Sequence, residues 1–282
     1  GDWAALSAIG RPDAGAHARA MSMRRLHLLE IHEQPWCPPA VRNGATDCLA
    51  AIAAALQQYR NVAPLLADAL RATGSRRIVD LCSGGAGPWR SLLPAIQRRL
   101  DADPLQVALT DLYPSWHSEA AETERRPAQL VFVPFPVDAT QVSPSLPGFR
   151  TLFTAFHHFP PTTAQAILQS AVNEGQGIAV FEQTRRHPLA LLVMLTLPFL
   201  AWLLTPFIRP WRPARLFWTY IIPAIPLVLC LDGMVSCLRT YAPDEMLALA
   251  EGLHGAPYTW RAGRVRSPLS PIGVTYLIGV PR

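Results

Sequence analysis

The stretch from Arg77 to Leu100 constrains the fold most. Arg77-Ile78-Val79-Asp80-Leu81 reads as a short buried strand, Cys82-Ser83-Gly84-Gly85-Ala86-Gly87-Pro88 as a turn of small residues, and the run to Leu100 as a helix. A strand, a glycine-rich turn and a helix in that order point backbone N–H groups and a helix N-terminus at a ligand. Gly84, Gly85 and Gly87 let the main chain pass close to that ligand, where a Cβ would clash. The same arrangement also serves as a plain tight turn, so the loop alone does not define a function.

The strand–helix pattern recurs along the chain. Leu105–Thr110, Leu130–Pro134, Arg150–Phe156 and Gly177–Glu182 read as further strands, with a helix from Pro161 to Asn173 between the last two. A helix near Pro243–Leu253 and two strands, Tyr258–Val265 and Ile272–Val280, complete the pattern. Alternation of strand and helix predicts a parallel sheet with helices on both faces. Ahead of it, Thr46–Gln58 and a segment opened by Pro64 read as helices, with Gly74 as the C-cap of the second. Arg24–Gln34 reads as a short helix or strand stopped by proline. The opening residues to about Ala20 read as a flexible leader with no function, and Met21 and Met23 are candidate starts. The 28 prolines exclude a long-helix bundle, and half of the 282 residues are apolar, which excludes disorder over most of the length.

Three acidic residues stand at successive strand ends. Asp80 closes the first strand, Asp111 follows the second and Asp138 follows the third. In an open parallel sheet these carboxyl ends converge on one crevice. A carboxylate just before the glycines repels a pyrophosphate and suits a ligand with an amino group or cation. Asp111 can accept from two ribose hydroxyls, and Asp138 from an adenine amino group. Each aspartate alone has the ordinary reading of a loop cap; three in register do not.

These residues resemble the class I S-adenosylmethionine-dependent methyltransferases. The resemblance rests on RIVDLCSGGAGPW, ALTDLYP, PVDAT and TLFTAFHHF, and covers Leu65–Glu182, with Tyr241–Pro281 matching more loosely. It implies a Rossmann-like α/β fold with a seven-stranded, mostly parallel sheet whose last strand is antiparallel, and S-adenosyl-L-methionine as cofactor. The cofactor residues it implies are Asp80, Cys82, Ser83, Gly84, Gly85, Gly87, Asp111, Leu112, Asp138, Ala139 and Ala155. The family's first and third glycine positions are here Cys82 and Ala86. The expected organisation is a leader (1–23), an N-terminal helical lid (24–75), a cofactor-binding core (76–184), an apolar insertion (185–240) and the end of the core sheet (241–282).

His157 and His158 end the fourth strand, where the transferred methyl group should lie, and an imidazole titrating near neutrality can act as a base there. Packing or a loop hydrogen bond is the ordinary alternative. On the lid, Glu30, His32, Glu33 and Trp36 lie close together, and Glu30, His32 and Trp36 are candidates for touching the acceptor. His32 and Glu33 have no metal-ligand spacing with another histidine, so no metal is expected. Arg239 and Tyr241, two apart and on one side of an extended chain, are candidates for binding an acceptor carboxylate or phenol, with a structural salt bridge as the equal alternative for Arg239.

The insertion is the least ordinary segment. Leu189–Ile208 holds 20 uncharged residues and Leu216–Leu231 another 16, separated by Arg209, Arg212 and Arg215. The first meets the length criterion for a bilayer crossing, but Pro198, Pro206, Pro223 and Pro226 interrupt the two stretches, and the arginines give no clean orientation. Three readings stay open: a buried wall of an apolar substrate pocket, a patch lying in a bilayer interface with Trp202, Trp211, Trp218 and the arginines at headgroup level, or a homodimer interface. Arg209–Arg215 are candidates for pairing with an anionic headgroup or diphosphate, with solvated surface arginines as the ordinary reading.

The net charge of +5 comes from arginine alone, since lysine is absent, and no basic stripe interleaved with aromatics marks a nucleic-acid partner. Five scattered cysteines exclude a disulfide scaffold and fit a reducing compartment. The expectation is therefore a cytoplasmic methyltransferase, peripheral on the inner membrane if the insertion meets lipid, acting on O or C of a hydrophobic small molecule. The alternatives are a membrane-associated binding protein without catalysis on the same fold, and a nucleotide-cofactor oxidoreductase.

Overall fold

A computed structural model describes residues 23–84, 87–100, 104–114, 129–267 and 270–282; the expected leader, but for Met23, lies outside them. Seven strands form one sheet: β1 (Arg77–Leu81), β2 (Gln106–Leu109), β3 (Leu130–Phe132), β4 (Phe149–Phe153), β5 (Ile178–Glu182), β6 (Tyr258–Ser267) and β7 (Ser270–Pro281), in the order β3-β2-β1-β4-β5-β7-β6. The pairs from β3 to β5 are parallel, and β7 runs antiparallel to both β5 and β6. The last two strands are longer than the sequence pattern indicates, with a register shift between Val265 and Ser267.

Strands buried on both faces need apolar residues at consecutive positions, not alternating ones. β1 satisfies this: Ile78 faces one layer, while Val79 and Leu81 face the other. On the first side pack α2 (Ala63–Thr73) and α3 (Trp89–Leu100), through Leu66, Leu70, Leu92 and Ile96, while α1 (Pro39–Ala55) packs against the insertion. On the second lie α4 (Pro161–Asn173) and α9 (Pro243–Glu251), through Ile167, Leu168, Met246 and Ala250. Gly74 ends α2 in the left-handed conformation at φ 65°, which only glycine adopts without cost.

Strand order reverses between β2 and β4, on either side of β1. Connections leave in opposite directions there, which opens a crevice at the carboxyl ends of β1 and β4. Asp80 and Thr151 sit opposite one another in that register.

Two local expectations are corrected. Arg24–Gln34 forms neither helix nor strand; it runs extended and then turns. α1 begins at Pro39 and not near Thr46, because proline at the first position of a helix gives up an N–H that has no partner there anyway.

The insertion forms four α-helices, α5 (Pro188–Met194), α6 (Leu197–Leu204), α7 (Pro213–Leu216) and α8 (Ala224–Arg239), with a 3-10 turn at Thr205–Phe207 and a π-helical turn at Phe217–Ile221. Their inner faces make a third apolar cluster with α1, in which Ala190, Met194, Leu197, Ala201, Ile225 and Leu229 meet Val41, Ala45, Cys48 and Ile52. By length and composition Pro188–Phe207 could cross a membrane, and Pro213–Ile221 with Ala224–Arg239 could do so as a pair bent by 76°. Both ends of the insertion are tied to the rest of the chain. Arg186 pairs with Glu245, and Asp232 on α8 accepts from the backbone N–H groups of Ile31 (2.7 Å) and His32 (2.9 Å). The outer face is open: Leu192, Phe199, Leu203, Phe207 and Ile221 are 61%, 68%, 64%, 75% and 72% exposed.

Candidate active site

The loop after β1 turns sharply. Cys82, Gly84 and Gly87 have φ of 55°, 52° and 47°. Cys82 therefore holds a left-handed backbone despite its side chain, so the replacement of glycine there leaves the turn in place, at a conformational cost of about 1 kcal/mol. No atom lies within 4 Å of where a Cβ on Gly84 or Gly87 would be, which leaves an open cradle above the loop. Gly85 lies outside the described residues. Ser83 ties the loop to β2 by donating to the Thr110 carbonyl from both its N–H (2.9 Å) and its hydroxyl (3.1 Å).

The three aspartates gather at this loop. Asp80 is buried and accepts a hydrogen bond of 2.6 Å from the Thr151 hydroxyl. Burial pushes its carboxyl up to about 7, and the neighbouring Asp111 adds to the rise. Asp111 accepts from Gly84 N–H (3.0 Å) and Tyr113 N–H (2.9 Å), so one carboxylate holds the loop and the residue after β2 together. Asp138 is exposed and is fixed by Thr140 through its N–H (2.8 Å) and hydroxyl (2.7 Å). The Cys82 thiol is pushed up to about 12 by burial and by the fields of Asp111, Asp80 and Asp138. All three carboxylates thus act on one side chain. Of the other expected cofactor residues, Leu112 is exposed beside Asp111, and Ala139 and Ala155 are buried.

Across the crevice, β4 and β5 end in a second group. Thr154, at φ 48°, receives the Tyr59 phenol from the segment between α1 and α2. Tyr59 is buried, and burial, with the fields of Glu182 and Asp80, raises its phenol. His157 is buried, and its Nδ1 stands 2.6 Å from Glu182 Oε2; Glu182 Oε1 accepts from Phe156 N–H at 2.7 Å. Burial would raise the Glu182 carboxyl, but attraction and hydrogen bonding from His157 bring it below the usual range. His158 is partly open to solvent, with Nδ1 2.6 Å from Glu33 Oε1.

The N-terminal segment closes this end. Glu30 is fully buried; its Oε1 accepts from Ser236 (2.9 Å) and lies 3.2 Å from Arg239 Nη1. His32 Nδ1 is 2.8 Å from Asp232 Oδ2. Burial raises the Glu30 carboxyl, whereas Glu33 lies well below the usual range because hydrogen bonds from His158 and Arg239 outweigh its own burial. Burial, with His157 alongside, lowers His158. For His32, burial is outweighed by the bond to Asp232 and the field of Glu30, so its value rises.

Three of the expected acceptor candidates have partners or positions that the sequence does not show. Arg239 gives both terminal nitrogens to Glu33 (2.8 and 3.0 Å) and its Nε to the Leu28 carbonyl (2.6 Å), which leaves it a clamp on the N-terminal segment. Tyr241 is buried, donates to the Phe159 carbonyl (2.8 Å) and lies under the Arg25 guanidinium, 3.9 Å from its ring centre. Trp36 is 67% exposed. Arg215, expected among the headgroup arginines, is buried and bound to Asp47 (2.5 Å) and to the carbonyls of Ile208 and Pro210. Sequence reasoning missed Thr151, Tyr59, Thr154, Asp232 and the partnership of Glu182 with His157. Only Glu182, as an acidic strand end beside two others, carried a readable signal.

No family model matches the chain, and no curated protein matches it in sequence. Solved structures do. The plantazolicin methyltransferase BpumL, in complex with SAH, is 9% identical and superposes with a TM-score of 0.52 over 89% of this chain and 94% of its own. NcsB1, an O-methyltransferase from neocarzinostatin biosynthesis solved with S-adenosylmethionine and 2-hydroxy-5-methyl naphthoic acid, is 17% identical with a TM-score of 0.47; the match covers 86% of this chain and 59% of that one. An O-methyltransferase family protein from Burkholderia thailandensis is 14% identical, with a TM-score of 0.45 over 85% and 62%. The first likeness, with the strand order and the antiparallel β7, makes this the fold of the class I S-adenosylmethionine-dependent methyltransferases.

Proposed function

We propose that the protein is an S-adenosylmethionine-dependent methyltransferase acting on an oxygen or carbon of a hydrophobic small molecule. The observation that carries this reading is the grouping of Asp80, Asp111 and Asp138 beside the open Gly84 turn: Asp80 stands at the end of β1, Asp111 accepts from Gly84 N–H, and the Asp111 carbonyl accepts from Val137 N–H next to Asp138. That donor set fits the cofactor: Asp80 suits an ammonium group, Asp111 a pair of ribose hydroxyls and Asp138 an exocyclic amine. The cofactor supplies an electrophilic methyl group, transferred by in-line displacement. The chain's own task is then to orient the acceptor and keep water out. His157 is held by Glu182 away from solvent and positions the end of β4, whereas the partly open His158 is the imidazole available to an acceptor.

The insertion supports the hydrophobic acceptor. Its outer face is apolar over four helices, and Arg209 stacks on Trp211 at the rim, 4.2 Å from the ring centre, as expected of a face resting on a bilayer with cations and tryptophan at headgroup depth. A contiguous apolar surface of this kind marks an interaction site. A lipid surface suits it because Arg209 and Arg212 pair with no carboxylate among the described residues, unlike Arg215. A membrane-dissolved acceptor would then reach the site without crossing water.

Calorimetric titration with S-adenosylhomocysteine tests the reading. The protein should bind one equivalent, and Asp111→Ala should bind at least tenfold more weakly, since a charge-assisted hydrogen bond contributes about 1.5–3 kcal/mol. Absence of binding by the unmodified protein, or equal binding by the variant, overturns it.

A further inference from the structure

We infer that Glu30, His32 and His158 form a binding site for one divalent transition-metal ion at the acceptor end of the crevice. The ligand atoms of these three residues lie within 4.8 Å of one another. Glu30 Oε2 stands 3.5 Å from His32 Nδ1 and 3.4 Å from His158 Nδ1. Around an ion with bonds of about 2.0–2.1 Å, tetrahedral ligand atoms stand about 3.3–3.4 Å apart. Two of the three separations are therefore those of a tetrahedral shell, and the third is no more than 4.8 Å.

The second observation is independent of that spacing. Glu30 is fully buried, and its two oxygens differ: Oε1 has Ser236 and Arg239, whereas Oε2 is buried with no hydrogen bond at all. A buried carboxylate oxygen left without a donor is costly, and a structure keeps one where something else completes it. This oxygen faces the two imidazoles.

Charge points the same way. Glu30, Glu33 and Asp232 bring three negative charges around the two histidines, and Arg239 returns one. With neutral imidazoles the pocket is left at −2, which one divalent cation cancels. Each Nδ1 now shares a proton with a carboxylate, His32 with Asp232 (2.8 Å) and His158 with Glu33 (2.6 Å). On binding, each neutral imidazole would carry its proton on Nε2 and give its Nδ1 lone pair to the ion, while Asp232, held by the Ile31 and His32 N–H groups, and Glu33, held by Arg239, would stay beside it as oxygen donors. Two imidazoles with carboxylate select zinc, iron, manganese or cobalt over calcium and magnesium, which prefer oxygen alone. The sequence hides this site because His158 comes from the end of β4, far along the chain from the other two.

The use of such an ion rests on the methyltransferase reading: an acceptor hydroxyl bound beside it would ionise near neutral pH, its proton passing to solvent. Ion binding itself does not depend on that reading. The test uses untagged full-length protein, freed of metal with a chelator and dialysed against zinc, with cobalt as a spectroscopic probe. One zinc per chain should be retained, and cobalt should give visible bands. His32→Ala should bind zinc at least 100-fold more weakly; His32→Gln serves if the alanine variant does not fold. His187→Ala, which alters a histidine of the insertion outside the cluster, should bind as the parent does. No retained zinc, or equal retention by folded His32 variants, overturns the inference. Titration of the same samples with S-adenosylhomocysteine keeps the two readings apart: cofactor binding without zinc defeats only the metal site, and zinc without cofactor binding defeats only the methyltransferase.

Discussion

Thr151 on β4 donates its hydroxyl hydrogen bond to Asp80 on β1, at 2.6 Å, across the rung where the strand order of the sheet reverses. The bond fixes the carboxylate at the mouth of the crevice but does not offset its burial, which pushes the group up to about 7. A carboxylic acid poised there is half neutral under working conditions until a cation arrives.

Stability should therefore depend on pH through this group. In the unfolded chain Asp80 titrates near 4, so between about pH 4 and 7 the native state holds a proton that the unfolded state has lost. Stability from this group is complete below pH 4 and is lost as pH rises through 7, by roughly 4 kcal/mol at most. Asp80→Asn should remove that slope in thermal melts and leave the variant more stable than the parent at pH 8. Cofactor binding behaves oppositely. An ammonium group favours the ionised carboxylate, so affinity for S-adenosylhomocysteine should rise from pH 6 to 8 with proton release, visible as a heat that depends on the buffer. Asp80→Asn should lose both the affinity and the pH dependence.

Glu182 and His157 form the other buried acid–base pair. The Glu182 carboxyl lies below its ordinary value, so its contribution is present above about pH 4.5 and is lost as pH falls through the lower native value. Glu182→Gln should keep the acceptor for Phe156 N–H but leave the histidine without its charge partner, lowering stability in urea unfolding by about 3 kcal/mol at pH 7. The deficit should shrink on acidification. A variant as stable as the parent at pH 7 would show that the pair positions His157 without contributing to the fold.

Much of the sheet and of the glycine-loop site is legible in the sequence, and the reason is local. β1 is apolar at successive positions because both its faces are covered, the turn after it must be small, and the aspartates sit one residue or a few past strand ends. α4 is readable to the residue because Pro161 starts it. What cannot be read depends on long-range encounters. Nothing near His32 announces Asp232, nothing near Glu33 announces His158, and the position of Arg239 two residues from Tyr241 suggests a shared face when each is held by a different part of the N-terminal half. Arg215 shows the same limit: in sequence it is one of three similar arginines, and in the fold it alone is buried against Asp47. The three readings of the insertion stay open in the sequence for a further reason, that hydropathy counts apolar residues without saying which face they occupy. Its inner face covers α1, and its outer face covers nothing among the described residues.

That outer face gives the last prediction. Phe199 and Leu203 on α6, Phe207 just after it and Ile221 beyond α7 are all more than 60% exposed, and Arg209 and Trp211 lie between them in the chain. Transfer of a fully exposed large apolar side chain out of water contributes roughly 1.5–3 kcal/mol, so even partial insertion of four suffices for measurable partitioning. The protein should float with vesicles of phosphatidylcholine containing anionic phosphatidylglycerol, and more weakly with phosphatidylcholine alone because the arginines lose their partners. Replacing the four by serine should abolish flotation while leaving binding of S-adenosylhomocysteine intact, since none of them touches the crevice. If the parent stays with the protein fraction and sediments as a dimer that the same substitutions dissociate, the face is a contact between two copies of the chain and not a lipid surface.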